Sequence, residues 1–250
     1  MKNIVLGLPA FNEEENIEEL IEHSLLQAAT LKEMGFDLKI LVLDDKSTDS
    51  TKALIEKISA SNDKISPLFH QVNKNLGGGL NTLIDYFLDN FGSEDYLIIM
   101  DADNTQSPIY IKDMIEKIKE GYDIVIASRY QEGSKVVGVP PIRIIYSYLA
   151  RYYYSLVLGI DGARDYTCGY RMYSYLILDK GKSIYKDKLI ENSSFACMTE
   201  ILYKLNKIGG KVAEIPFTLR YDQKGGDSSM KVMKTIGDSL KTAVKLRLNK

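Results

Sequence analysis

Four short apolar runs in this chain each stop abruptly at a polar turn, and that repeat restricts the fold more than any other feature. Residues 4–8 lead into Pro9, Ala10, Phe11, Asn12 and Glu13, and residues 39–43 lead into Asp44 and Asp45. Residues 96–100 lead into Asp101, Ala102 and Asp103, and residues 123–128 end at Arg129. Runs of this length suit strands buried on both faces. A further run at 68–72 reads as another strand. Between the runs lie segments with helical spacing. Residues 12–31 put Ile17, Leu20, Ile21 and Leu25 on one face, and residues 48–58 follow Ser47 and Asp49 as candidate caps. Residues 77–88 open on three glycines, and residues 107–119 carry Pro108 in the first turn. Strand–helix alternation predicts an α/β fold, a Rossmann-like mixed and mainly parallel sheet with helices on both faces. Ligands bind at the carboxyl ends of such strands, where the four polar turns fall.

Beyond Arg129 the rhythm changes. Residues 136–141 read as a loop, 142–158 as a tyrosine-rich apolar stretch with Arg143 and Arg151, and 165–171 as a polar, glycine-bearing turn. A helix over 198–208, a strand over 212–217 and a loop over 220–227 follow. No linker-like composition divides the chain, so a single domain is expected over 1–225, with a basic amphipathic helix over 226–250. That tail carries Lys231, Lys234, Lys241, Lys245, Arg247 and Lys250 against Asp238 alone.

Composition narrows the function classes. With 45% hydrophobic and 26% charged residues the 250-residue chain has the makings of a core, and disorder is excluded. Thirty-two basic against 34 acidic residues argue against a nucleic-acid partner. Two cysteines, Cys168 and Cys197, are too few for a disulfide framework and fit a reducing compartment. The start of the chain lacks an apolar signal region, and no run reaches about 18 apolar residues, so a cytoplasmic protein is expected, at most touching a membrane face.

Asp101-Ala102-Asp103 is the sharpest chemical feature. Carboxylates at i and i+2 share one side of an extended backbone. Their repulsion calls for a cation, and Mg²⁺ or Mn²⁺ bound through one or two carboxylates and phosphate oxygens meets that need. The competing reading is a turn that caps the next helix. Asp44 and Asp45 offer acceptor-only oxygens to a base or ribose, or else cap a helix. Leu76 and Gly77, at the head of the glycine run, suit close approach of a ligand at a helix start or a plain turn. Arg129, Arg171 and Arg220 each lie near a turn and match phosphate geometry. His23 and His70 stand alone and are assigned to structure.

In their order these motifs resemble the family 2 glycosyltransferases of GT-A fold, and among them the polyprenyl-phosphate sugar transferases, dolichol-phosphate mannosyltransferase included. Pro9-Ala10-Phe11-Asn12-Glu13 is similar to that family's Pro-x-Tyr-Asn-Glu start, with Phe11 for tyrosine. Asp44-Asp45-Lys46-Ser47-Thr48-Asp49, Asn75-Leu76-Gly77, Asp101-Ala102-Asp103, Ser128-Arg129-Tyr130 and the stretch from Asp165 to Arg171 resemble its further motifs. The resemblance implies that Pro9, Phe11, Glu13 and Asp44 hold a nucleoside with Leu76 and Gly77 beside it. It implies that Asp101 and Asp103 hold metal and diphosphate, and that Arg129, Asp165 and Arg171 line the sugar and acceptor end. Two departures stand out. Relatives often have Gln two residues after the second Asp, where this chain has Thr105. Their tail reads Gly-x-Ser-Lys, where this chain has Ser229 in place of the lysine and Lys231 two residues later.

The implied reaction is metal-dependent, inverting transfer from a GDP- or UDP-sugar to a lipid phosphate. Transfer to a glycan hydroxyl is the runner-up, with Asp165 as base and Glu200 behind it, and a non-catalytic nucleotide-binding scaffold is the third reading. Ile142, Ile145, Leu149, Tyr152 and Leu156 form one helical stripe, and Met230, Met233, Ile236, Leu240 and Val244 another on the basic tail. Interfacial helices have this makeup. Packing on the domain or in a homodimer is the alternative.

Overall fold

The apolar runs pair as the alternation predicts. The computed structural model describes residues 1–225 and 232–248, in the order β1 (Lys2–Ala10), α1 (Ile17–Leu25), α2 (Ala28–Glu33), β2 (Phe36–Asp44), α3 (Thr51–Ala60), β3 (Ile65–Phe69), α4 (Asn75–Asn90), β4 (Tyr96–Ile99), α5 (Ile111–Lys119), β5 (Ile124–Ser128), β6 (Lys135–Val137), α6 (Pro141–Leu158), β7 (Arg171–Ser174), α7 (Tyr175–Tyr185), α8 (Cys197–Lys207), β8 (Val212–Pro216), β9 (Thr218–Arg220) and α9 (Val232–Leu248). Seven of these strands form one sheet in the order β3-β2-β1-β4-β7-β5-β8, and β6 pairs with β9 apart from it. Val5, Leu6 and Leu8 of β1, Leu41 to Leu43 of β2 and Ile124 to Ile126 of β5 are fully buried, because helices cover both faces. Each such side chain contributes about 2 kcal/mol of apolar burial. Helix α5 shows the covering pattern, burying Ile111, Met114, Ile115 and Ile118 at helical spacing while its charges face out.

Most of the sheet is parallel, but β7 runs antiparallel between β4 and β5, with Arg171 opposite both Ile99 and Ile126. Its direction decides what reaches the site. A parallel strand delivers the loop that follows it to the carboxyl edge, whereas β7 delivers the loop that precedes it, residues 165–170. The sequence gives no strand there, because Arg171, Met172, Tyr173 and Ser174 carry neither alternation nor an aliphatic run.

Other boundaries shift for local reasons. The helix expected over 12–31 begins only at Ile17 and breaks at Leu26 and Gln27. Asn12 is left-handed at φ 57°, and the amides of residues 12–14 are bound by Ser47, Thr51 and Asp49 rather than by a helix. Asp49, not Ser47, receives the first amide of α3, from Thr51 at 3.0 Å. β3 pairs as residues 65–69 rather than 68–72, with Ile65 beside Ile40. Residues 108–110 form a 3-10 turn before α5, and β6 occupies part of the expected 136–141 loop.

Helix α9 packs on α6 and α8, where Tyr153 Oη donates to Leu240 O at 3.0 Å and Asn192 Nδ2 to Thr242 Oγ1 at 3.0 Å. Ala243 and Leu246 are buried in that seam, while Val244 and Leu248 are exposed. Residues 226–231, with Lys231 and the tail motif, lie outside the described residues, as do the side chains of Met233 and Ile236.

Candidate active site

Strands β1, β2, β4 and β5 end at one edge of the sheet, and the chain's polar turns converge there. The turns after β1 and β2 are latched together. Asn12 N donates to Ser47 Oγ (2.9 Å), Thr48 N to Asn12 Oδ1 (2.8 Å), Glu13 N to Thr51 Oγ1 (2.8 Å) and Ser50 N to Glu14 Oε2 (2.9 Å). This double turn leaves Phe11 39% exposed at the strand end. Asp44 is buried, with Oδ1 accepting from Ser47 N at 3.2 Å. Burial pushes the Glu13 carboxyl above its ordinary range, against the hydrogen bond from Asn16 Nδ2 (2.7 Å) that lowers it, and the nearby charge of Asp103 adds to the rise.

Asp45 is turned to a different use. Its Oδ1 accepts from His70 Nδ1 (2.6 Å) and from Lys74 N (2.8 Å), while His70 Nε2 meets Thr82 Oγ1 at 2.8 Å. A carboxylate only accepts, so Nδ1 carries the proton and the histidine ties β2 to α4. His70 is therefore structural, as expected, and exposed His23 lies 3.9 Å from Glu19. Gly77 also answers to the protein's own backbone. Its N donates to Ser193 O at 3.1 Å, and a Cβ there would fall 2.0 Å from Asn192 O. Glycine at 77 lets α4 and the 192–193 loop touch, and Leu76 packs half-buried against the core.

The turn after β4 holds the two acidic groups in different ways. Gln106 Nε2 donates to Asp101 Oδ2 (2.6 Å), and Gln106 Oε1 accepts from Asp101 N (3.1 Å). Asp101 Oδ1 lies against Gly169 of the loop that β7 delivers, where a Cβ would come within 2.8 Å of it. Asp103 Oδ1 accepts from Thr105 Oγ1 (2.7 Å) and Thr105 N (3.2 Å), and Oδ2 accepts from Lys224 Nζ (2.6 Å). Buried Ala102 sits between them. Thr105 thus orients Asp103, and Gln106, one residue past the position the resemblance implies, clasps Asp101. Asn104 turns left-handed at φ 59° in between, which asparagine tolerates. Burial, then the charge of Asp103, pushes the Asp101 carboxyl up to about 7.

These residues fit a hard divalent cation. Two adjacent carboxylates carry more negative charge than their hydrogen bonds offset, and an ammonium group already rests against one of them. Among the described residues no cluster of three or more His, Cys, Asp and Glu gathers around one point. An ion held here would use Asp101 and Asp103 and complete its shell with water and phosphate oxygens, as Mg²⁺ does.

The other end of the edge is closed on itself. Arg129 grips Asp165 bidentately, Nε to Oδ2 at 2.8 Å and Nη2 to Oδ1 at 2.6 Å, and Arg129 N adds a third bond to Oδ2 at 3.1 Å. Thr167 N and Cys168 N donate to Oδ1 as well. Burial opposes the charge on Asp165, but Arg129 outweighs it and holds the carboxyl below its ordinary range. With its oxygens so occupied and no exposed surface, Asp165 has no face left for a substrate hydroxyl. Arg171 is fully buried and spends Nη1 and Nη2 on the carbonyls of Met198 and Tyr166, so it braces the 165–170 loop from behind. Arg220 is exposed and pairs with Asp222 through Nε (3.0 Å) and Nη2 (2.8 Å). Its backbone N donates to Thr105 O at 2.9 Å.

Gln106, Gly169 and Lys224 complete the site without having been singled out from the sequence. The signal for Gln106 was a glutamine displaced by one position. Gly169 lay inside the quoted 165–171 stretch, and Lys224 meets Asp103 across 121 positions with no local pattern to announce it.

Beside the closed end, α6 presents its stripe outward, with Ile142, Ile145, Leu149, Tyr152 and Leu156 all more than half exposed. Arg151 stacks over Tyr130 at 5.0 Å, and Tyr130 Oη donates to Ser147 O at 2.9 Å. Among the described residues no helix is long and apolar enough to cross a membrane.

Comparison with known proteins agrees with this geometry. The family model described as Glycosyl transferase family 2 matches residues 6–181. A polyprenol monophosphomannose synthase of Mycolicibacterium smegmatis is 27% identical over 241 residues, 95% of this chain and 82% of that protein. An undecaprenyl-phosphate mannosyltransferase of Micrococcus luteus is 27% identical over 223 residues, covering 89% and 85%. Among solved structures, glucosyl-3-phosphoglycerate synthase of Mycobacterium tuberculosis superposes with a TM-score of 0.69 at 17% identity, over 98% of this chain and 80% of that one. That enzyme has also been crystallised with Mn²⁺, UDP-glucose and glycerol 3-phosphate.

Proposed function

Because the chain belongs to glycosyl transferase family 2, we propose that it is a metal-dependent, inverting enzyme that moves a sugar from a GDP-mannose- or UDP-glucose-type donor to a polyprenyl or dolichyl phosphate. One observation carries the choice of acceptor. Both carboxylates that the sequence offers as a base are sealed, Asp165 by Arg129 and Glu200 by Lys204 Nζ (2.6 Å) and the amides of Glu191 and Asn192. A hydroxyl acceptor needs a base within reach. A phosphate monoester, whose second pKa lies near about 6, arrives already ionised and needs only positioning.

In this reading the Phe11 ring and the oxygens of Glu13 and Asp44 receive the nucleoside. Asp101 and Asp103 hold Mg²⁺ or Mn²⁺, clasped from behind by Gln106 and Thr105. When bound, the ion neutralises the charge that develops on the departing diphosphate. The Arg129–Asp165 pair and Arg171 keep the 165–170 loop rigid, so Gly169 stays against Asp101 and the sugar end of the cleft keeps its shape. Residues 1–225 form the catalytic unit. The exposed α6 stripe, with exposed Lys241, Lys245 and Arg247 on the neighbouring helix, supports peripheral contact with the cytoplasmic face of a membrane through α6 and the 226–250 tail.

The test is transfer of labelled sugar from GDP-mannose and UDP-glucose with Mn²⁺, with and without undecaprenyl phosphate. A labelled lipid product from one of the donors is expected. Equal turnover without lipid phosphate, or transfer to a sugar hydroxyl in its place, overturns the acceptor assignment.

A further inference from the structure

The carboxylate pair already has a cation, and the protein supplies it. Lys224 Nζ stands 2.6 Å from Asp103 Oδ2, with both side chains less than one-fifth exposed. The segment that delivers it is laid across the cleft and fastened on both sides. Arg220 N donates to Thr105 O (2.9 Å) on the metal turn, and Gly225 N donates to Asn16 Oδ1 (3.1 Å) on the nucleoside side. Asn16 in turn holds Glu13. Midway, Tyr221 Oη accepts from Arg143 Nη1 at 2.8 Å, and Asp222 lies so close to Gly138 that a Cβ there would meet its backbone N at 2.6 Å. The strap from 218 to 225 therefore touches both turns that would grip a donor.

We propose that Lys224 is a displaceable counter-ion that takes the cation's place on Asp103 when no metal is bound, so that metal loading opens the 2.6 Å pair and loosens the strap. This rests on the metal reading above. A divalent ion in contact with the carboxylate oxygen that holds Lys224 repels the ammonium more strongly than one carboxylate charge attracts it, and a cleft shielded from water magnifies the difference. A divalent ion reaching Asp103 must turn the ammonium away. The four-carbon stem of Lys224 lets it swing while the backbone remains nearby, where the incoming diphosphate gives it a new partner. Lys224 is thus a positioning residue whose loss strengthens one property of the site, a sign opposite to that of a merely structural contact.

The experiment is Mn²⁺ binding to the nucleotide-free full chain, followed by the electron paramagnetic resonance signal of free Mn²⁺, in the wild type, Lys224→Met and Lys224→Arg. Lys224→Met should bind Mn²⁺ about tenfold more tightly, in the usual range for coupled binding, while Lys224→Arg stays near the wild type. Equal or weaker binding by Lys224→Met overturns the proposal and leaves the metal reading standing. Absence of Mn²⁺ binding in all three proteins overturns both. Amide hydrogen exchange of peptides covering 218–225 in the wild type is a second measurement that needs no variant to fold. Saturating Mn²⁺ should speed exchange there, and unchanged or slower exchange overturns the proposal.

Discussion

Two acidic groups, Asp101 and Asp165, lie at one edge of the sheet and are neutralised in opposite ways. Asp165 meets a planar guanidinium that matches both its oxygens, together with backbone amides, and its carboxyl is held down. Asp101 meets an amide side chain, a glycine and a second carboxylate, and its carboxyl is pushed up to about 7. The first arrangement is complete without a ligand and fixes a loop. The second is left short of positive charge, which one swinging lysine meets only at Asp103. Burial acts on both groups, so the difference comes from the partners. That shortfall is what supports the proposed cation at this end of the edge and none at the other.

Substitution of Asp103 should break this contrast most severely. On the proposed metal role, losing one of the two carboxylates removes several kcal/mol of transition-state charge stabilisation, so Asp103→Ala should lower kcat/KM on the order of 10³-fold. The variant should still fold, since its carboxylate joins no core network. Steady-state transfer assays and a melting curve check both halves. An active Asp103→Ala would place the cation elsewhere.

At the closed end the larger effect should fall on stability. Asp165→Asn leaves the Arg129 charge buried without its partner, and removing one member of a buried pair costs about 3–5 kcal/mol. Urea unfolding of Asp165→Asn beside Asp101→Asn measures the contrast directly. The former should lose several kcal/mol, and the latter should lose none at neutral pH without metal, because it relieves a carboxyl pushed up to about 7.

The two carboxyls should also respond to pH with opposite sign. Asp101 in the folded state binds its proton more tightly than an unfolded aspartate, whose value is near 4. Its contribution to stability is therefore present at low pH and lost as pH rises from about 4 to about 7. Asp165, shifted down, contributes above the unfolded value and loses that contribution as pH falls below about 4. Melting temperatures of metal-free wild type and Asp101→Asn between pH 4 and 8 separate the first effect, because the variant should lose less stability over that interval. Identical profiles would mean that Asp101 is not strained by its setting.

A smaller change should sharpen the picture of the metal turn. Gln106→Leu removes the amide that fixes Asp101 without touching the carboxylates, and outer-shell losses of this kind weaken metal affinity by about 10–100-fold. Mn²⁺ titration of this variant checks it. An unchanged affinity would mean that the backbone alone holds Asp101 in place.

How far the sequence foretold this contrast depends on where each partner lies in the chain. The acidic turns were legible because each follows a buried aliphatic run, and period and position place such a turn at the carboxyl edge. The starts of α1 and α3 were not, since Ser47, Thr51 and Asp49 accept from the amides of Asn12, Glu13 and Glu14 across 35 or more residues. The antiparallel β7 was hidden because Arg171 and Tyr173 are buried by their neighbours rather than by any pattern of their own. Gly77, at a helix start, suggested close approach of a ligand or a plain turn, but glycine allows close approach of any backbone, and here the backbone is that of Asn192. The three arginines looked equivalent in sequence. Burial divides them into a grip on Asp165, an internal brace and a surface pair.

Arg220 supplies the smallest effect and the cleanest control on that division. Its guanidinium is about half exposed and spends itself on Asp222, two residues away. Exposed pairs of this kind contribute little, because water screens the charge and two side chains lose freedom in pairing. The part of residue 220 that reaches the metal turn is the backbone N, which Arg220→Ala keeps. Arg220→Ala should therefore leave kcat/KM within about twofold of the wild type and the melting temperature essentially unchanged. Transfer kinetics at several salt concentrations decide the matter. A large loss of kcat/KM that deepens as salt falls would mean that the guanidinium leaves Asp222 to meet the donor, and the open end of the site would then extend one residue class further than its resting geometry shows.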